Sequence, residues 1–247
     1  EDGFYVLTIN GFPFGKFHDT RVKTDVYRPD WSDRARLEHT LRLARLLAQL
    51  LPEDGFGTIS TVPITYGAWA DDELVITACR HLAELIAAFD RIRDETGRII
   101  NIALEPEPDC YLEDLPTVLH FHENFVQSTL VDELAKQAHC SQAEAQNMLK
   151  QHFGYCMDMI HMAVAFENPL NVLFEMTQRE IPISKVHIGA ALASAAPGPI
   201  PPALTEFNDD VYLHQTRLWS DAGIERFADL PDALAAAGAA GAWRWRG

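Results

Sequence analysis

Short β-branched runs alternate along this chain with longer stretches in which apolar residues recur every three or four positions, a pattern that predicts strand, helix, strand, helix. Phe4–Asn10, Gly57–Pro63, Ile99–Glu105, Gly154–Asp158 and Lys185–Gly189 read as strands, and Val211–Thr216 as a sixth. Between them, Leu37, Leu41, Ala44, Ala48 and Leu51 form one stripe of a helix over Asp33–Leu51. Leu74, Ala78, Leu82, Leu85, Phe89 and Ile92 do the same for a helix over Asp71–Thr96, stopped by Gly97. Leu115–His152 contains the capping signature Ser141-Gln142-Ala143-Glu144, so at least two helices occupy it. Pro169 opens a further helix to about Arg179, and Asp229–Ala237 reads as a short last one. Ala193–Pro202 reads as an irregular loop, and Trp243–Arg246 has no evident partner.

Strands alternating with helices imply a parallel sheet with crossover helices. Neither a G-x-G-x-x-G after a strand nor a G-x-x-x-x-G-K-[ST] run occurs, which removes the main support for a nucleotide-binding doubly wound fold. The expectation is therefore an α/β fold of the (β/α)8 TIM-barrel kind, with residues 1–247 as one barrel domain. Six strands are legible where a closed barrel needs eight, so two strands are unrecognised or the chain is a piece of a longer one.

Charge changes the picture next. With 20 Lys+Arg against 36 Asp+Glu the formal net charge is -16, which repels phosphate backbones and excludes nucleic acid as an expected partner. Cys79, Cys110, Cys140 and Cys156 are scattered and read as reduced thiols. No apolar run reaches the roughly 20 residues of a membrane helix, so the expectation is a cytoplasmic protein without membrane insertion.

Candidate chemistry sits where the strands stop, because the carboxyl ends of parallel strands share one face. In Leu104-Glu105-Pro106-Glu107-Pro108 the first proline removes a backbone donor and ends the strand at Glu105. The residues at these ends are Asn10, Thr61, Glu105, Asp158, His187 and His214. Glu105, Asp158 and His187 are a carboxylate and imidazole set suited to a divalent ion such as Mn²⁺, Mg²⁺, Zn²⁺ or Co²⁺. Taken singly, an Asp at a strand end also caps helices, and a strand His also packs in cores. His161 lies one helical turn after Asp158 and can share its face, or simply pack at a helix start. Glu107 and Glu113 read as rim carboxylates.

The runs Leu104–Pro108, Asp158-Met159-Ile160-His161 and Lys185-Val186-His187-Ile188-Gly189 resemble the xylose isomerase-like TIM barrels. More narrowly, Thr8–His18 with Thr20-Arg21-Val22-Lys23, then Tyr27–Trp31, Ser60–Pro63 and Tyr212–Gln215, resemble the EboE-like metabolite traffic family. The resemblance implies a barrel that begins two strands earlier and continues past this chain, so that its first two strands and its last are missing here. It implies a divalent ion held by Glu105, Asp158 and His187, with the fourth ligand unmatched. It also implies isomerisation or epimerisation of a polyhydroxylated metabolite, a sugar or cyclitol, through an enediolate. Glu105 would exchange the proton and His161 would bond a substrate oxygen, while Asn10, His18, Thr61, Glu107 and His214 line or cover the substrate. The alternative is a non-catalytic metabolite carrier or traffic protein, with protein partners of a biosynthetic pathway.

Overall fold

A computed structural model describes residues 4–15, 23–193, 206–208, 211–236 and 244–246. Five strands, β1 (Thr8–Asn10), β2 (Phe56–Thr61), β3 (Ile99–Leu104), β4 (Phe153–Asp158) and β5 (Ile183–His187), pair in sequence order, all parallel. The crossovers are helical. α1 (Arg34–Leu50) joins β1 to β2, and α2 (Asp72–Thr96) joins β2 to β3. Between β3 and β4 run α3 (Leu115–Phe121), a π-helical stretch (His122–Leu130), α4 (Val131–Ala138) and α5 (Gln142–His152). α6 (Met159–Val164) and α7 (Pro169–Gln178) lead into β5.

The expected eight-stranded TIM barrel is thus corrected: among the described residues the parallel sheet has five strands, a half-barrel. Val211–Thr216 does not add a sixth. Most of it is loop, and the chain enters strand only at Thr216, in an antiparallel sheet of β6 (Thr216–Ser220), β7 (Gly223–Phe227) and β8 (Arg244–Arg246). Of the Trp243–Arg246 run, Arg244–Arg246 find their partner in β6, and Trp243 lies outside the described residues. A short helix, α8 (Leu230–Ala236), follows β7.

Local chemistry explains the element ends. Asp33 and Asp71 accept backbone N–H bonds at the starts of α1 and α2. Gly97 closes α2 in the left-handed region at φ 71°. The Ser141 and Glu144 side chains form the reciprocal capping box expected for α5. Burial does the rest. Leu37, Leu47, Leu82, Leu85 and Phe89 from the helices pack with Ile59, Ile100, Ile102 and Phe153 from the strands, all fully buried. β1 is shorter than its apolar run because Phe4–Leu7 lie exposed at the sheet edge, beyond the paired residues.

Two features aim the site. Between β4 and β5 the register slips, so that Tyr155 pairs with Ile183 but Cys156 pairs with Lys185 and Asp158 with His187. This bulge leaves Ser184 without an opposite number and reverses the facing of the rest of β5. Gly154 makes room for it: a Cβ there would overlap Ser184 Oγ and meet the Pro182 carbonyl at 2.9 Å. The second feature is the antiparallel sheet, which is bolted to the loop after β3. Arg217, 1 % exposed, reaches Asp109 at 2.9 Å and Glu113 at 2.8 Å, and Arg226 also holds Glu113 at 2.8 Å. Among the described residues, no helix is long and apolar enough to cross a membrane.

Candidate functional site

Side chains alternate across a strand, so two residues apart means the same face. On β4, Cys156 and Asp158 share the concave face, and beyond the bulge Lys185 and His187 on β5 join them. Glu105 follows β3 directly, its N–H donating to the Thr61 carbonyl at 3.1 Å, and Pro106 ends the ladder there. These alternations bring Glu105, Asp158 and His187 together. The His187 Nδ1–H lies 3.2 Å from Glu105 Oε1 and 3.1 Å from Asp158 Oδ2, so one imidazole bridges two carboxylates. Glu105 and Asp158 are 5 % and 7 % exposed. The hydrogen bond to Glu105 is the main cause that raises the His187 pKa above its usual value.

Asp158 serves twice. Its Oδ1 caps α6 by accepting from the backbone N–H of Ile160 at 2.7 Å and of His161 at 3.3 Å, which leaves Oδ2 for His187. His161 turns its Nδ1 to the Pro106 carbonyl at 3.0 Å and sits 3.9 Å from Glu105 Oε1. Glu105 Oε2 is buried and has no hydrogen-bond partner. Ligand atoms of Glu105, Asp158 and His161 lie within 4.8 Å of one another, as do those of Glu105, Cys156 and His187. Donor atoms at such spacings, of mixed oxygen and nitrogen type, with one orphaned carboxylate oxygen, fit a divalent cation.

The other expected site residues divide. Glu107 borders the group. It accepts from Tyr27 Oη at 2.6 Å and from Gln215 Nε2 at 3.2 Å. Burial raises its pKa, Glu105 adds to the rise, and His161 and the two hydrogen bonds oppose it. Asn10 stands at the β1 edge, where its side chain accepts from the Phe12 N–H at 3.0 Å and from Ser60 Oγ at 3.4 Å. Thr61 reaches the site through its carbonyl only, because its side chain alternates with Ser60 onto the helix-covered face. His214 lies in the loop before β6 with its backbone N–H on Asp229 at 3.1 Å, outside the Glu105 group. His18 lies outside the described residues. Glu113 is drawn into the Arg217 and Arg226 ion pairs instead of standing free on a rim.

Sequence reasoning missed Lys185, Tyr27 and Gln215. Lys185 crosses the concave face to donate to Ser60 Oγ at 3.0 Å, and burial lowers its pKa. The signal for it was present: Lys185 and His187 are two apart on one strand. Tyr27 and Gln215 meet only in space, with Gln215 Nε2 2.9 Å from Tyr27 Oη. Against known proteins, no family model matches the chain, and no curated protein matches it.

Proposed function

We propose that the protein is a divalent-metal-dependent isomerase or epimerase acting on a polyhydroxylated small molecule, a sugar or cyclitol. The observation that carries this reading is the His187 bridge between Glu105 and Asp158, beside a buried Glu105 oxygen that lacks a partner. The resemblance of these strand ends to metal-dependent sugar isomerases and epimerases supports it. Glu105, Asp158 and His187 would hold the ion. When bound, the ion supplies Lewis acidity to a carbonyl and its neighbouring hydroxyl. The chain's own residues do the remainder. Glu105 takes the proton from the carbon beside the carbonyl and returns it to the neighbouring carbon or to the opposite face, so that no atom is gained or lost. His161, its Nδ1–H fixed on Pro106, offers Nε2 to a substrate hydroxyl. Tyr27, Glu107 and Gln215 form a bonded wall beside it. The four cysteines are unbridged, which fits the cytoplasmic setting this reading expects.

Elemental analysis of protein purified without chelator is the direct test, with Glu105→Gln as the control. About one ion per chain, lost in the variant, is expected for a ligand set of this kind. Background metal in the parent protein would end the reading. A screen of hydroxy-aldehydes and hydroxy-ketones in deuterated water, read by loss of the exchanging C–H signal, then assigns the reaction. Thermal stabilisation by one of these compounds without any exchange would instead indicate a carrier.

A further inference from the structure

We propose that Cys156 is a ligand of the same ion, so that the centre is one thiolate, one imidazole and carboxylate oxygen, built for zinc or cobalt in preference to magnesium or manganese. This rests on the metal-dependent reading above and goes beyond it by assigning the unmatched fourth ligand and the metal class. Three observations converge. The Cys156 sulfur lies within 4.8 Å of ligand atoms of both Glu105 and His187. An ion bonded at about 2.3 Å to sulfur and about 2.1 Å to nitrogen at the tetrahedral angle holds the two donors roughly 3.6 Å apart, a spacing inside that limit. Cys156 and Asp158 alternate onto the same face of β4, and the donor group of Glu105, Cys156 and His187 shares the Glu105 carboxylate with that of Glu105, Asp158 and His161. The Glu105 carboxyl, 5 % exposed, leaves Oε2 unpartnered within this group.

Without an ion the sulfur is held as a thiol: burial raises the Cys156 pKa, the Glu105 and Asp158 carboxylates add to the rise, and the Lys185 ammonium opposes it. A bound cation supplies the charge that releases the proton. Lys185 itself is engaged by two neutral oxygens, Ser60 Oγ at 3.0 Å and the Ile9 carbonyl at 3.5 Å, so its charge is left to balance anions across the concave face. On binding, the thiol proton leaves to solvent, a sulfur–metal bond forms, and no redox change occurs. A soft sulfur donor disfavours magnesium and manganese, which prefer oxygen ligands.

Cobalt reports the bond directly. Protein stripped with chelator and titrated with Co²⁺ should develop both a visible ligand-field band and a near-ultraviolet thiolate-to-cobalt band. Cys156→Ser should keep the first, lose the second and weaken binding by at least the roughly 10–100-fold that loss of a supporting residue costs. Cys140→Ser, which alters the most accessible thiol, should change neither band. The parent spectrum stands as a test even if Cys156→Ser folds poorly. A visible band without the near-ultraviolet one would overturn the thiolate assignment while leaving the metal reading intact. Absence of both bands would overturn the metal reading, and the ligand assignment with it.

Discussion

His161 and Pro106, 55 positions apart, are joined by a hydrogen bond of 3.0 Å from the imidazole Nδ1–H to the proline carbonyl. The bond fixes the tautomer, so Nε2 carries the lone pair. Proline contributes twice here, ending β3 after Glu105 and presenting a carbonyl that orients the ring. His161→Ala should therefore lower turnover by about 10²–10⁴-fold, the usual worth of a positioned acid or base. On the proposed reading its ion content should stay that of the parent protein, because the ring would act on substrate. Loss of the ion together with activity would instead make His161 a ligand.

The Arg217 guanidinium holds two carboxylates while almost wholly buried. Removing it strands Asp109 and leaves Glu113 to Arg226 alone, and breaking such a buried set costs roughly 3–5 kcal/mol. Arg217→Met should show that loss in urea unfolding, against near-neutral behaviour for Arg34→Met, whose ion pair with Glu84 is exposed. Equal effects of the two substitutions would mean that the antiparallel sheet is not anchored through Arg217.

Gly154 exists for the bulge. Gly154→Ala places a methyl group against a backbone carbonyl at 2.9 Å as well as against Ser184 Oγ, so strain of about 1–3 kcal/mol is expected. Ser184→Gly should recover only part of it, since the Pro182 carbonyl remains. Full recovery in the double variant would show that the serine alone sets the limit.

His122 supplies one part of the pH dependence. Burial lowers its pKa to about 4, and it is held by Gln127 Nε2 at 2.9 Å and Tyr155 Oη at 3.3 Å. Between the usual value near 6.5 and about 4 the unfolded chain binds a proton that the folded chain refuses. Stability is then full above pH 6.5 and falls as the pH drops toward 4. His122→Gln should flatten this slope in denaturant midpoints measured from pH 7 to pH 4, whatever its effect at neutral pH.

How much of this was legible follows from how local each feature is. The helices over 34–50 and 72–96 and the strands at 99–104 and 153–158 rest on stripes, caps and β-branched runs, all readable in order. Glu105, Asp158 and His187 could be picked because strand ends converge on one face. The halt at five strands could not, since an open edge leaves no mark in an apolar run such as Phe4–Leu7. Nor could the antiparallel sheet, whose anchor Arg217 looks like any surface arginine until Asp109 and Glu113 are seen beside it. Cys156 read as a reduced thiol; its spacing of two from Asp158 already placed both on one face of the strand.

The slip at Ser184 makes the chemistry of β5 depend on a single backbone position. A ladder that ran on without the slip would pair Ser184 with Cys156 and turn every later side chain to the other face, sending His187 outward and Val186 inward, whereas deleting Ser184 would keep His187 opposite Asp158. A one-codon loss at Ser184 would then leave an ordinary sheet with the centre intact, and it is the unslipped ladder with Ser184 kept in line that would silence it.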